Sequence, residues 1–295
     1  MAGLSVDAWG ALAHPIREHP PAESAPWKDN AYLGFWDPEH DVYGTIHVST
    51  SPNSRDTLAR ASLSVRGRTA EVAEELAPAS FTSPSIAFDL AGRITVDAPG
   101  LRAKLELAPL FTIGDYRATD IVADLVRDAP LQHVEQFARV AGEAEVAGET
   151  TTVDGVGFRD RTWGYRDESV SMPEYFALMA VFPGHGLVGL RFAQPDGGER
   201  TAGFRLDDDT ALAVSAVAPI TRDASGLFAA VDVTLADGQR LRLRRTRRTA
   251  GFWVPMGWER TAPTLSAYDE FVEIRTDRGD TGFGIVEQGI IRQLV

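Results

Sequence analysis

The segment VDVTLADGQRLRLRR at residues 231–245 shows the pattern that decides the fold. Apolar and polar residues alternate on both sides of Asp237-Gly238, and a period of two is typical of strands with one buried face. Asp-Gly favours a two-residue type I′ turn, because both residues tolerate positive φ. The segment therefore predicts an antiparallel β-hairpin.

The same signals recur along the chain. Residues 101–107 alternate in the same way, and turn-forming residues separate further apolar runs at 183–186, 195–198 and 277–280. Residues 6–12 fit a short helix, and residues 118–126 fit either a short helix or a strand. The repeated strand–helix alternation of a parallel sheet is missing. We therefore predict an all-β antiparallel protein with few short helices, whose strands close into β-barrels.

The length of 295 residues is sufficient for two domains. The turn and charge pattern changes after residue 166, and we place a connector at residues 169–173. The sequence thus predicts an N-terminal extension at 1–29 and two β-barrel domains, at 30–166 and 167–295, that pack together. Residues 133–163 are expected to fold back on themselves through turns near 147–148 and 154–155.

Acidic residues number 42 against 29 basic ones, which gives a formal net charge of −13. Such a charge repels phosphate backbones and anionic lipid headgroups, so we expect no nucleic-acid partner. The lack of cysteine excludes disulfides, thiol catalysis and thiolate metal sites. We predict no membrane span, because no run of eighteen apolar residues exists, and residues 1–18 do not resemble a secretory signal. A cytoplasmic protein is therefore expected.

The segment GVGFRDRTWGYR at residues 155–166 has the most unusual composition in the chain. In a strand, Arg159, Arg161 and Trp163 lie on one face and Asp160 on the other, because successive side chains alternate. Glycines inside a strand indicate a bulge or the close approach of a neighbouring backbone. A buried Asp160 requires a partner, for which an arginine or backbone N–H groups are the candidates.

Residues 133–164, which end in this segment, resemble the AttH-like and hydroxyneurosporene synthase (carotenoid 1,2-hydratase) superfamily. Its hallmark is the stretch Gly-x-x-Arg-Asp-His/Arg-Ser/Thr-Trp-Gly at the end of the first domain. The chain matches this stretch at Gly155 or Gly157, Asp160, Thr162, Trp163 and Gly164. Weaker similarities lie at residues 30–32 and 282–287, so the resemblance spans most of the chain.

The resemblance implies two lipocalin-like β-barrel domains in tandem, with a hydrophobic pocket at or between them. Members of the superfamily include hydratases, which add water to a terminal alkene, and pericyclases, which fold a polyene for an intramolecular cycloaddition. Arg161 departs from the hydratase-like pattern, in which His often stands at this position. A guanidinium does not deliver a proton at neutral pH.

The candidate catalytic residues are Asp160, Glu135, His133 and Arg161. Asp160 is either an acid whose pKa is raised by burial, or one half of a structural ion pair with a neighbouring arginine. His133 and Glu135 share a strand face and form either a general acid/base pair or a solvated face. We expect them to meet the end of the motif, residues 161–166, on one face of an apolar cavity. Neighbouring antiparallel strands bring same-face residues to about 5 Å.

The candidate substrate-binding residues are Trp163, Tyr32, Trp36, Tyr175 and Arg166. Trp163 is either an aromatic wall for a polyene or carbocation, or a plug in the core of a barrel. Aromatic clusters around Tyr32 and around Trp253 line a ligand cavity or fill a core. The arginine-rich run at 240–248 is a solvated strand face or a site for a carboxylate or phosphate.

We predict neither a metal nor a cofactor, because the six histidines are dispersed and nucleotide-binding motifs are missing. Our main hypothesis is a cofactor-free lyase, isomerase or cyclase that acts on an apolar, unsaturated molecule of terpenoid or polyketide type. Its pocket is expected at the domain junction. The alternative is a non-catalytic carrier of a lipophilic small molecule, which the architecture suits equally well. Convergent charged groups in the pocket favour the enzyme, and a smooth apolar pocket favours the carrier.

Overall fold

The computed structural model describes residues 6–14, 26–53, 57–77, 79–117, 131–165, 174–194, 197–255 and 263–293. Arg166, the predicted connector at 169–173 and the ambiguous region at 118–126 lie outside the described residues. The chain divides into two compact units, Met1–Arg166 and Asp167–Val295.

In the residues that the structure describes, the first unit has a short 3₁₀ helix followed by nine strands. These elements are η1 (Val6–Ala13), β1 (Trp27–Asp37), β2 (Val42–Thr50), β3 (Leu58–Val65), β4 (Arg68–Glu74), β5 (Ile86–Asp89), β6 (Arg93–Ala98), β7 (Leu101–Asp115), β8 (Gln132–Val146) and β9 (Glu149–Tyr165).

The described part of the second unit also has nine strands. They are β10 (Glu174–Phe182), β11 (His185–Ala193), β12 (Glu199–Leu206), β13 (Ala211–Val217), β14 (Thr221–Arg222), β15 (Phe228–Leu235), β16 (Arg240–Pro255), β17 (Pro263–Thr276) and β18 (Thr281–Gln293).

The two sheets have the same strand order. The first sheet runs β4-β3-β2-β1-β9-β8-β7-β6-β5, and the second runs β13-β12-β11-β10-β18-β17-β16-β15-β14. Within each sheet, strands that follow one another in the chain pair in antiparallel fashion, except β4 with β5 and β13 with β14. The first described strand of each unit also pairs with the last. In the second unit β13 pairs with β15 as well, which brings the two ends of the sheet together. The predicted all-β antiparallel class is confirmed.

The predicted hairpins are confirmed, with two corrections. Asp237-Gly238 joins β15 to β16, but of these two residues Gly238 alone has positive φ, so the turn is not type I′. Ala147 and Gly148 do form a two-residue turn with positive φ at both positions, between β8 and β9. The turn expected near 154–155 is wrong, because β9 continues through that point.

Gly155 allows β9 to run through residues 154–155 without a turn. A Cβ atom at Gly155 would lie 2.3 Å from the carbonyl oxygen of Trp36 on β1, so the two backbones approach more closely than a side chain permits. The close approach predicted from the glycines of the motif is confirmed.

One face of the first sheet packs on a core that includes helix η1. Trp9 and Leu12 of η1 are buried among apolar residues of β1, β2, β3, β6, β7 and β8. The opposite face of β1 is buried as well, since all of its eleven residues are buried. Burial on both faces explains why β1 lacks the alternation that marks the outer strands.

The second sheet encloses a core of its own. Phe176 and Leu178 on β10 pack with Val272 on β17 and Val286 on β18, and Phe176 contacts the ring of Phe228 at 5.7 Å between centroids. Residues that share this face by alternation therefore point into the second barrel.

Candidate active site on the first sheet

A row of polar side chains crosses three neighbouring strands of the first sheet. Asp160 on β9 stands directly opposite Glu135 on β8 and Tyr32 on β1. Residues in such register have Cβ atoms about 5 Å apart on one face of a sheet. The structure thus brings two carboxyl groups and a phenol together.

A second row lies two residues along the same strands. His133 on β8 stands opposite Thr162 on β9, and Thr162 stands opposite Asn30 on β1. The Nδ1 atom of His133 and the hydroxyl oxygen of Thr162 are 2.6 Å apart, which is a hydrogen bond. This contact holds the imidazole above the carboxyl row.

A bulge in β7 adds a further phenol. The register between β7 and β8 shifts after Leu110, where Phe111 adopts a positive φ of 65°. The displaced chain places Tyr116 over β8, and its hydroxyl donates a hydrogen bond of 2.7 Å to Oε1 of Glu135. The rings of Tyr116 and His133 are 4.9 Å apart.

Glu135 is the most enclosed member of the site. Its side chain has no exposed surface, and its second oxygen, Oε2, lies 3.5 Å from Nε2 of His133. Burial raises the pKa of Glu135, and the negative charge of Asp160 adds to this rise, whereas His133 and Tyr116 oppose it. Burial and Glu135 also raise the pKa of Tyr116 well above its ordinary value. Glu135 therefore keeps its proton to a higher pH than an exposed glutamate does.

Aromatic rings surround the carboxyl pair. Phe137 follows Glu135 on the same face of β8 and contacts Phe158 at 5.4 Å between ring centroids. Phe111 meets Phe137 at 6.4 Å. Trp36 is buried on the same face of β1 as Tyr32. The site combines the carboxyl pair Asp160 and Glu135 with an apolar, aromatic surface.

Arg161 and Trp163 lie on the opposite face of the sheet. Strand alternation separates them from Asp160, so the expectation that they share a pocket face with Glu135 and His133 is wrong. Arg161 is buried in a bidentate ion pair with Asp29, at 2.9 Å and 2.7 Å. Trp163 packs against the core of the first barrel.

Asp160 differs from its two arginine neighbours in exposure. It is half-buried, whereas Arg159 and Arg161 are fully buried on the core side. Burial and the charge of Arg161 lower the pKa of Arg159 to about 9. Asp160 is thus the carboxyl of the row that a bound molecule can reach.

Two of the candidate substrate-binding residues are not part of this cluster. Tyr175 lies on β10 in the second unit, where its hydroxyl donates to Oε1 of Glu287. Arg166 lies outside the described residues. The structure brings together Asp160, Glu135, His133 and Tyr32, and leaves Trp36 farther along the same face.

Tyr116 is the residue of the site that sequence reasoning missed. The available signal was Gly114 inside an apolar run, because a glycine within a strand marks a bulge. Among the described residues, no group of three or more histidine and carboxylate side chains is arranged to hold a metal. A helix able to cross a bilayer is not found in the described part of the chain.

Three solved structures share the fold across most of the chain. A protein named putative AttH (NE1406), from Nitrosomonas europaea, has a TM-score of 0.65 at 15% identity, covering 89% of this chain and 92% of its own. Kievitone hydratase from Nectria haematococca has a TM-score of 0.62 at 13% identity, with coverage of 96% and 93%. CghA has a TM-score of 0.62 at 11% identity, with coverage of 90% and 89%. These similarities confirm the AttH-like, lipocalin-like fold.

Sequence comparisons give one further match. The family model described as a domain of unknown function (DUF7064) matches residues 16–289. No curated protein sequence matches significantly.

Proposed function

The chain belongs to the DUF7064 family, and we propose that it is an enzyme that adds water to, or cyclises, an apolar unsaturated small molecule. We place the reaction at the carboxyl pair Asp160 and Glu135, and assign it no cofactor. The substrate class proposed is a terpenoid or polyketide-type molecule with carbon–carbon double bonds.

The observation that carries this proposal is the pairing of Asp160 with Glu135 on a buried aromatic face. Glu135 stands in direct register with Asp160, and burial together with the negative charge of Asp160 raises the pKa of Glu135. Glu135 therefore retains its proton to a higher pH than an exposed glutamate does. A carboxyl group that retains its proton is what acid catalysis on an alkene requires.

The carboxyl pair serves both directions of proton transfer. In a hydration, the pair gives its proton to one alkene carbon, and the carbocation formed at the other carbon takes the oxygen of water. The ionised pair then accepts the proton that water loses, which restores the starting state. In a cyclisation, a second double bond attacks the same carbocation, and the new carbocation that results loses a proton from a neighbouring carbon to the ionised pair.

Asp160 and Glu135 have different roles in this scheme. Asp160 is half-buried and faces the substrate, so it is the candidate catalytic residue. Glu135 has no exposed surface and acts through Asp160 as a positioning residue, held by Tyr116 and His133. Tyr32 and the phenylalanines supply π faces, which stabilise a cation by about 0.5–2 kcal/mol each when it lies over the ring.

The structural relatives support the class of reaction without fixing the substrate. One is named as a hydratase that acts on kievitone, and CghA has also been solved with Sch210972. Both share the architecture with this chain at low identity.

The test is turnover of terpenoid and polyene candidates by the wild type and by two matched variants. Asp160→Asn removes the titrating group but keeps the shape, and should lower kcat by about 10²–10⁴-fold. Glu287→Gln makes the same chemical change in the second unit and should leave kcat within about twofold, as expected for a residue outside the chemistry. Ligand binding without conversion by the wild type, unchanged in Asp160→Asn, would instead establish the carrier.

A further inference from the structure

Asn30 lies on the same face of the first sheet as the carboxyl pair, one row away from it. Tyr32, two residues further along β1, stands directly opposite Asp160, so Asn30 and Asp160 are diagonal neighbours across β1 and β9. Residues in such diagonal positions lie about 7–8 Å apart. A molecule that reacts at Asp160 can therefore contact Asn30 as well.

The amide oxygen of Asn30 is a buried hydrogen-bond acceptor. The residue is 4% exposed, and its Oδ1 atom makes no hydrogen bond with any residue that the structure describes. A buried acceptor without a donor is destabilising and therefore uncommon, and an apolar side chain of similar size avoids the cost. The presence of this oxygen calls for a donor other than those residues.

The neighbouring hydroxyl groups do not supply that donor. Thr162 on β9 stands directly opposite Asn30, but its hydroxyl is engaged with Nδ1 of His133 at 2.6 Å. Ser49 on β2 is the opposite residue on the other side of β1. The amide oxygen thus lies between two hydroxyl-bearing side chains and bonds to neither of them.

Two polar side chains near Asn30 retain exposed surface. Asp160, its diagonal neighbour, is half-buried. His133, which ends the row formed by Asn30 and Thr162, keeps 12% of its side-chain surface exposed. Exposed surface therefore adjoins the row that contains the unbonded amide oxygen.

We propose that Asn30 selects a substrate that carries a hydroxyl group, accepting its hydrogen while a double bond of the same molecule lies at Asp160. The substrate class is then an unsaturated alcohol of terpenoid type, and the carbon chain between the two groups lies beside Tyr32. This inference rests on the proposed function, because it takes Asp160 as the reacting group. It adds the polar group that the substrate carries.

The test compares probes with and without the donor by isothermal titration calorimetry. Geraniol is an unsaturated terpenoid alcohol, and its methyl ether keeps the oxygen and the carbon chain but lacks the hydroxyl hydrogen. The full chain should bind geraniol about tenfold more tightly than the ether, the difference expected for one hydrogen bond to a buried acceptor. Farnesol and its methyl ether repeat the comparison with a longer chain. Equal affinity within both pairs, or no saturable binding of either alcohol, would overturn the inference.

Two variants assign this preference to Asn30. Asn30→Leu removes the acceptor, so geraniol should fall to the affinity of its ether, while binding of the ether should not weaken. Thr50→Val is the matched control, because Oγ1 of Thr50 is also buried without a hydrogen bond among the described residues but lies on the opposite face of the sheet. This control should change neither affinity. A preference for geraniol that persists in Asn30→Leu would contradict the role of Asn30.

Thermal stability separates a ligand-binding role from a structural one. Without ligand, Asn30→Leu should melt within about 3 °C of the wild type, because the oxygen it removes bonds to no described residue. A larger fall in Tm would show that the folded chain itself supplies the donor, and the inference would then be wrong.

The carboxyl pair is tested separately. Asp160→Asn should keep the tenfold preference for geraniol, since Asn30 is intact, while turnover falls. If the alcohols are preferred but none is converted, the proposed function fails and the hydroxyl site stands. If turnover depends on Asp160 but the alcohols are not preferred, this inference alone fails.

Discussion

The two units have the same scaffold and carry carboxyl pairs at corresponding positions. Glu135 faces Asp160 across β8 and β9, and Asp269 faces Glu287 across β17 and β18. Each β9 or β18 carboxylate follows a Gly-x-Gly segment by three residues, at 155–157 and at 282–284. The shared strand order and these shared positions indicate that one architecture has been used twice.

The difference between the units lies in what surrounds each pair. His133 in the first unit corresponds to Ala267 in the second, and Thr162 corresponds to Gly289. The second pair has a tyrosine partner, Tyr175, but no imidazole beside it at the corresponding position. The scaffold thus places a carboxyl pair in each unit, and the imidazole of His133 accompanies the first pair. This is why we assign the reaction to the first unit.

The largest effect should come from Arg161→Met. This change leaves Asp29 buried without its partner and should lower the free energy of unfolding by about 3–5 kcal/mol. Gln288→Met is the matched change in the second unit and should cost less than about 1 kcal/mol, because its buried Nε2 makes no hydrogen bond with the described part of the chain. Urea denaturation of the full chain measures both values. Equal costs in the two units would contradict the different roles assigned to these positions.

The next effect concerns the segment inside the first barrel. Trp9→Ala removes a buried ring from the core and should cost about 3 kcal/mol. Trp253→Ala removes an exposed ring of β16 in the second unit and should cost less than about 0.5 kcal/mol. Thermal unfolding followed by circular dichroism compares the two. A stable Trp9→Ala variant would show that η1 is not part of the folded core.

Much of this fold could be predicted from the sequence, because alternation and turn residues act locally. The hairpin at 237–238 and the face assignment of residues 158–163 follow from the period of two alone. Both faces of β1 are buried, so its side chains show no alternation, and its pairing with β9 could not be deduced from pattern. That pairing depends on contacts between residues more than a hundred positions apart.

The carboxyl pair was only partly predictable for the same reason. Asp160 and Glu135 were identifiable as candidates, since they lie on the two arms of one continuous hairpin. Their exact register depends on the turn at Ala147-Gly148, because a shift of one residue would move Glu135 to the other face. Tyr116 arrives through a bulge in a third strand, which no local pattern specifies. The Gly-x-Gly-x-x-acid spacing occurs in both units, and the strand registers of β9 and β18 show that its two copies occupy corresponding positions.

A smaller effect should separate the two Gly-x-Gly segments. A Cβ atom at Gly284 would lie 2.0 Å from the carbonyl oxygen of Met179, whereas at Gly157 the nearest backbone atom, the carbonyl oxygen of Gly34, is 2.9 Å away. Gly284→Ala should therefore cost about 2–3 kcal/mol and Gly157→Ala about 1 kcal/mol, since forcing extra volume into a packed sheet displaces backbone. Urea denaturation gives both free-energy costs. A larger cost for Gly157→Ala than for Gly284→Ala would show that these backbone distances do not determine how well each sheet accommodates a methyl group.

The smallest and most specific effect is the pH dependence of stability in Glu135→Gln. Glutamine keeps the oxygen that accepts from Tyr116 but cannot ionise. The pKa of Glu135 is raised in the folded state, so its contribution to stability is present below its ordinary pKa and is lost as pH rises through the raised value. Each unit of that rise is worth about 1.4 kcal/mol. The variant should therefore match the wild type in acid and become the more stable protein towards neutral pH, while its kcat falls. If the free energies of unfolding of the two proteins change in parallel with pH, ionisation of Glu135 does not destabilise the folded state. The first carboxyl pair would then be no better suited to proton transfer than the second.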